Sequence, residues 1–432
     1  MRKYFLILLI FPLLSSSQII NFSDINLKTK LLQASVNSSI AYDVNYNQIK
    51  IDVNNNNEIE INEALLVYAL NISNSNINNL NGLESFNNMI DLNCSTNNIT
   101  SFNFNLFPNL LYFKGNDNLI TSLSINNHNT IDTILLANNN LTSTVVSNCS
   151  NLWELNCSNN NLTSINIANL PTLFNLNLNN NQLANVNLSN FQNLNYVYFN
   201  NNVLTTLTFN NCPNILIVNC SNNLLTQLNF SNLTLLNSIY CFDNQLNTIN
   251  ISGCTSLKNL FSANNNLVSI DASTCSSLDI LDCQNNQLTN INVKNNSNET
   301  SYGICGNPNL NNVCIDNNLE EINQMTSQVS ICGYPNVLIN PNCTLSVNSV
   351  NMTLTFEIFP NPTQDILNIN TNSHNSIKSV KIYNTVGQLV FTKISYIEEN
   401  MVELDIASLS PGVYLTLIDS EHGVLIEKII KN

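Results

Sequence analysis

The chain is poor in charge. Asp, Glu, Lys and Arg make up only 9% of its 432 residues, and 13 cations face 28 anions. A net charge of −15 leaves no Lys/Arg stripe of the kind a phosphate backbone requires, so nucleic acid is excluded as a partner. Histidine is almost missing: His128, His374 and His422 are the only three. No Cys-x-x-Cys spacing or His cluster argues for zinc. Gly-x-Ser-x-Gly, His-Glu-x-x-His and phosphate-loop patterns are absent, and the acidic residues of the central stretch are sparse and unpaired, so no enzyme is expected. Long apolar runs are lacking too. Tyr4 to Leu14 is too short to cross a bilayer comfortably, and no other stretch reaches that length. With Arg2 and Lys3 before it and Ser15-x-Ser17 after it, this run reads as a secretory signal over residues 1–17, cut ahead of Gln18.

What the chain has is repetition. Asn97, Asn118, Asn139, Asn160, Asn181, Asn202, Asn223, Asn244, Asn265 and Asn286 recur every 21 residues without an insertion or deletion. A fixed period of this size marks a solenoid. The copy starting at Leu152 shows the unit: Leu152, Leu155, Cys157, Leu162, Ile165, Ile167 and Leu170 are apolar at positions one, four, six, eleven, fourteen, sixteen and nineteen, with Asn160 ninth. Leu155-x-Cys157 alternates with the period of a strand. One coil cannot bury its own apolar edge, but stacked coils share a core. The ninth-position amides can donate to and accept from backbone groups where each strand bends away, which makes them structural rather than ligands.

Residues flanking the buried ones point the other way, so positions three, five and seven line an exposed sheet face. In most coils they are Asn, Ser, Thr or charged. In neighbouring coils they become Tyr196, Tyr198, Ile217, Tyr240, Phe242, Phe261 and Ile280. A contiguous exposed apolar patch marks an interaction site, and Tyr is enriched in binding hot spots. The competing readings are scattered surface hydrophobes or self-association. Trp153 and Phe174, at second positions, lie nearer the strand edge and are left out of the patch. His128 falls at a nineteenth position and is expected to pack.

Ahead of the repeats, residues 18–70 read as a cap. A short helix is expected from Leu27 to Ala34, and a capping helix from Glu63 to Leu70. Between them, Asp52, Asn54, Asn56, the Glu58 carbonyl, Glu60 and Glu63 have the spacing of a calcium loop, with Asn57 where glycine is usual. The alternative is a polar turn. Ser75 stands in for the ninth-position asparagine of an atypical first coil.

Of 13 cysteines, Cys94, Cys157, Cys220, Cys241 and Cys283 hold the sixth position and Cys149, Cys212, Cys254 and Cys275 the nineteenth. Both slots are mostly apolar elsewhere, so these cysteines are read as small core hydrophobes. Past Asn296 the rhythm is expected to break into a cap over 304–345, with a short helix near Asn318 to Gln328. Cys305, Cys314, Cys332 and Cys343 are the expected disulfide partners there, their pairing open. A polar linker follows over 346–355. From Phe356 onward, seven short segments separated by turns suggest a small β-sandwich: 356–359, 366–369, 379–383, 388–394, 402–406, 412–418 and 424–430.

The pattern L-x-x-L-x-C/L-x-x-N-x-L resembles the leucine-rich repeat family, in its short bacterial form. The resemblance implies a curved parallel-sheet solenoid over residues 71–303, with short strands on the convex side, used for binding. Residues 356–432 resemble the type A sorting domain of the type IX secretion system. The matching residues are Phe359-Pro360-Asn361-Pro362, Ile366-x-x-Ile369, Val380-Lys-Ile-Tyr383 with Gly387, Leu409-x-x-Gly412-Val-Tyr414 and Lys428-Ile-Ile-Lys431. That resemblance implies engagement with the secretion machinery, passage across an outer membrane, and a product released or held at the cell surface. The expected function is a secreted binding protein that takes a protein or glycan ligand on its concave face. The alternative is a structural matrix component.

Overall fold

The computed structural model describes residues 18–343, 356–371, 377–385, 387–394, 401–420 and 423–432. The signal read at 1–17, the linker at 346–355, His374 and His422 lie outside the described residues. Two compact units divide the chain, at 1–344 and 345–432.

In the first unit each coil contributes one three-residue strand with its middle residue inward. Glu154–Asn156 pairs in register with Thr133–Leu135 on one side and Asn175–Asn177 on the other. Twelve such strands, from Ala69–Asn71 to Ser301–Gly303, run parallel; Ala41–Tyr42 adds antiparallel to the first and completes a 13-stranded sheet. The Ile165-x-Ile167 pair of each coil builds the opposite side, as short sheets of three, two, two and four strands. Leu152, Leu155, Cys157, Leu162 and Leu170 all lie in one continuous core. The nine repeat cysteines are buried and unpaired within it.

The paired asparagines of each turn divide two tasks. The eighth residue needs a left-handed backbone, which asparagine tolerates better than most; Asn159, Asn180 and Asn201 have φ of 54°, 54° and 56°. The ninth bonds inward. Asn160 Nδ2 donates to the Leu136, Cys157 and Ser158 carbonyls at 2.9, 3.1 and 3.0 Å, and its Oδ1 accepts from Leu141 N–H at 2.9 Å. Most coils repeat this set, so each asparagine ties its own turn to the coil before it.

The N-terminal cap holds a helix at Ile25–Leu32, started by Asp24, which accepts from the N–H groups of Asn26 and Leu27. The helix expected over Glu63–Leu70 is a single turn, Ile61–Ala64. Leu70 instead takes the inward slot of the first coil and draws Ala69–Asn71 into the sheet.

The ladder also continues one coil past Asn286. Asn307 Nδ2 donates to the Cys283 and Ile304 carbonyls at 3.0 and 2.8 Å. In this last coil Glu299 and Tyr302 occupy positions one and four, which are held by Met, Leu, Ile, Val or Phe in the coils before. Both are buried, with Tyr302 OH in hydrogen-bond contact with Glu299 at 3.0 Å and with Glu321 at 2.8 Å. Glu321 belongs to the helix Leu319–Ile331, so this polar group docks the closing helix on the stack. The bridges Cys305–Cys332 and Cys314–Cys343 fasten the same end.

In the second unit all seven expected strands form, in two antiparallel sheets. One holds Phe356–Phe359, Ile366–Thr371 and Met401–Asp405; the other holds Leu389–Ile394, Ile377–Asn384, Gly412–Ser420 and Gly423–Lys431. Leu367, Ile369, Val380, Ile382, Leu404 and Ile418 fill the space between them.

Candidate binding face and sorting domain

The parallel register decides which side chains meet on the open face. Tyr196, Ile217, Ser238, Asn259 and Ile280 stand in one column; Tyr198, Asn219, Tyr240, Phe261 and Asp282 stand in the next. All seven residues of the patch are half-buried and none enters the core. The Tyr240 and Phe261 rings stack 5.0 Å apart at 8°. Phe242 follows its strand at position seven and remains beside this pair in sequence order.

The two aromatics left out of the patch extend it. Trp153 and Phe174 stack 5.0 Å apart at 11°, and Phe174 meets Tyr196 edge-on at 5.3 Å. Second-position residues sit beside the column of position three, which alternation within a single strand does not reveal. Burial raises the Tyr198 phenol above its ordinary range, and the Tyr196 and Tyr240 phenols add to the shift.

His128 packs as expected. Its Nε2 lies 3.0 Å from the Phe107 carbonyl and its Nδ1 accepts from Ile131 N–H at 3.3 Å.

The acidic loop of the N-terminal cap is closed by its own groups. Asp52 accepts from the N–H groups of Asn56 and Asn57 at 3.1 and 3.3 Å. Asn57 has φ of 63°, so the position usually given to glycine adopts the required backbone. The side-chain amides of Asn54 and Asn56 donate to Glu60, the latter at 2.7 Å. Glu63 accepts from the N–H groups of Val53 and Glu60 at 2.7 and 3.1 Å. Burial and contact with Glu60 hold the Glu63 carboxyl above its usual range. Glu58 turns away to pair with Lys28 at 2.7 Å. Among the described residues, no group of three or more His, Cys, Asp or Glu side chains stands ready to hold a metal ion.

In the sandwich the structure brings distant motif residues together. Asn361 Nδ2 donates to the Lys428 carbonyl at 2.8 Å, and its Oδ1 accepts from Ile430 N–H at 2.9 Å. Thr363 exchanges backbone bonds with Ile430 and Asn432, each at 2.8 Å, and Lys431 pairs with Asp365 at 3.3 Å. The Phe359–Pro362 turn thus clamps the Gly423–Lys431 strand. Among the described residues no helix is long and apolar enough to cross a membrane.

Residues 357–432 match the family model of the secretion system C-terminal sorting domain. No curated protein sequence matches the chain. Among solved structures it is similar to InlJ of Listeria monocytogenes, whose functional domain is described as including a cysteine ladder. That match has 18% identity and a TM-score of 0.41, over 87% of this chain and 93% of that one. An internalin, InlF, from Listeria monocytogenes str. 4b F2365 gives 20% identity and a TM-score of 0.41, over 69% and 96%. YopM from Yersinia enterocolitica gives 19% and 0.42, over 58% and 60%. The protein is a leucine-rich repeat solenoid joined to a type IX secretion sorting domain, and it is exported to the cell surface or beyond.

Proposed function

We propose that the open face of the repeat sheet binds a protein or a glycan, and that the protein serves outside the cell as an adhesin or recognition module. The observation that carries this reading is the row of Tyr196, Tyr198, Tyr240, Phe242 and Phe261, half-buried on the solvent side of the sheet. Much of the rest of that surface is Asn, Ser and Thr. Stacked coils generate the extended surfaces that repeat proteins use for partners, and truncating a central aromatic in such a surface commonly costs about 2 kcal/mol or more of binding.

The test is binding of the full chain to arrays of proteins and glycans, beside a variant with Tyr198→Ala, Tyr240→Ala and Phe242→Ala. Binding should weaken by at least about 30-fold while the melting temperature stays close to the parent's. Unchanged binding would move the site elsewhere. The rival reading is a matrix component without a discrete ligand; it requires concentration-dependent assembly in light scattering that the same variant abolishes.

A further inference from the structure

The stacking that builds the patch also limits what it can take. Tyr240 with Phe261, and Trp153 with Phe174, turn ring faces to each other. A sugar ring packs on an aromatic face, and the interior of such stacks offers none. Ring edges carry the positive part of the quadrupole and suit carbonyl oxygens instead. The hydroxyls of Tyr196, Tyr198 and Tyr240 can bond a peptide backbone in the same way.

Each stacked pair keeps its two outer faces, and one of these belongs to Trp153. Phe174 covers one side of Trp153. The Trp153 backbone N–H donates to the Asp132 carbonyl at 2.8 Å and the Phe174 backbone N–H to the Trp153 carbonyl at 2.9 Å, so the three residues hold the same place in successive coils, with Asp132 in the coil on the side of Trp153 away from Phe174. Trp153 is 42% exposed.

The surroundings of that face are anionic and uncompensated. Asp132 accepts from Thr133 Oγ1 at 2.7 Å and Glu154 from Asn175 Nδ2 at 2.9 Å, both neutral donors. Neither carboxylate joins an ion pair among the described residues. Burial, with the charge of Asp132 behind it, lifts the Glu154 carboxyl above its ordinary range. Between Lys114 and Lys294 the sequence holds a single cation, Lys258, and Lys114 is already paired with Asp91 at 3.4 Å. Asp279 and Asp282 flank Ile280 as a second anionic pair, with Lys258 beside Asp279 in the coil before; no ion pair joins them among the described residues.

We infer that the ligand of this face is a basic polypeptide segment, with one lysine or arginine side chain seated on Trp153 beside Asp132 and Glu154. This rests on the binding role proposed above. Tryptophan is the best aromatic partner for a cation, and the two carboxylates complete the charge match. From the strand of Glu154 to that of Ile280 is six steps of the sheet. At ~4.8 Å per step this spans about 29 Å, the length of roughly nine extended residues. A second cation at the far end would meet Asp279 and Asp282.

Trp153 is the only tryptophan of the chain, so its fluorescence reports on this site alone. The experiment titrates the full chain with three probes: a nonapeptide with basic ends and an aliphatic middle, its counterpart with acidic ends, and a β-linked oligosaccharide. The basic peptide should shift Trp153 emission. Its affinity should fall at least about tenfold between about 0.05 and about 0.5 M salt, and as far in the Asp132→Asn, Glu154→Gln variant. Equal binding of the acidic peptide, or salt-independent binding unaffected by the two substitutions, would overturn the inference. Oligosaccharide binding that is lost in Tyr240→Ala, without peptide binding, would overturn it while leaving the face as the binding site. No response to any probe that depends on Trp153, Tyr240 or Phe261 would overturn both.

Discussion

Asn160 reaches across a coil boundary, its Nδ2 donating to the Leu136 carbonyl at 2.9 Å while its Oδ1 takes the Leu141 N–H at 2.9 Å. Four backbone groups bond this one side chain. The Leu136, Cys157 and Ser158 carbonyls keep a second donor each, in Asn139 Nδ2, Asn181 Nδ2 and Asn138 N–H, so the Leu141 N–H is the group left orphaned. Asn160→Ala should cost about 1–3 kcal/mol, because an orphaned buried polar group keeps its full desolvation penalty. Urea denaturation of the two proteins measures it. A loss below about 0.5 kcal/mol, the size of an ordinary surface change, would mean the ladder is ornamental.

Thiol chemistry checks the core. Burial pushes the Cys157 thiol up to about 12 and the Cys254 thiol up to about 11. A thiol reagent should find no reactive cysteine in the native protein at neutral pH. In denaturant it should find the nine unpaired thiols, and after reduction all 13. Early labelling of Cys94, Cys157 or Cys220 would show a stack that opens.

Glu321 makes the closing helix sensitive to pH. Burial pushes its carboxyl from 4.5 up to about 8, with Glu299 and Asp316 adding to the shift. The folded state keeps a proton that the unfolded chain gives up. The stability this group contributes is therefore whole below about 4.5 and fades as pH rises toward about 8. Glu321→Gln keeps an acceptor for Tyr302 and cannot ionise. Its melting temperature should pull ahead of the parent's as pH climbs through this window. Parallel curves for the two proteins would remove Glu321 from the cap's pH response.

We propose calcium as the occupant of the loop from Asp52 to Glu63. The left-handed Asn57 supports this reading, because it supplies the backbone usually given to glycine in such a loop. Entry of the ion would open the amide bonds from Asn54 and Asn56 to Glu60 and relieve the contact between Glu60 and Glu63. Millimolar calcium should raise the melting temperature of the parent by a few degrees, as a ligand present well above its dissociation constant does. Glu63→Gln should lose that rise. No rise in the parent would leave the loop a cap and nothing more.

The repeat was legible because its punctuation is polar. Ten asparagines at one spacing fix coil length, strand position and outward face together. The apolar rhythm fades at Asn296, which ends one coil at a nineteenth position, and at Glu299, which opens the next in place of an apolar first residue. Glu299 and Tyr302 meet Glu321 of the Leu319–Ile331 helix, a tertiary contact that periodicity cannot anticipate. The helix expected from Glu63 to Leu70 failed for a related reason: Leu70 belongs to the sheet, and its neighbours follow it. Trp153 and Phe174 fall outside the sequence-read patch because their row forms between coils, through a register that one coil does not display. The disulfide pairs likewise join segments whose approach depends on the closing helix.

Hydrogen exchange on the complex tests the central claim most directly. The full chain would be exchanged alone and with the tightest-binding member of the protein and glycan arrays. Protection should appear on the strands from Glu154–Asn156 to Ile280–Asp282 and spare the opposite short strands such as Thr206–Asn210. Protection confined to that opposite side, or to the caps, would contradict a working face built on these aromatic columns.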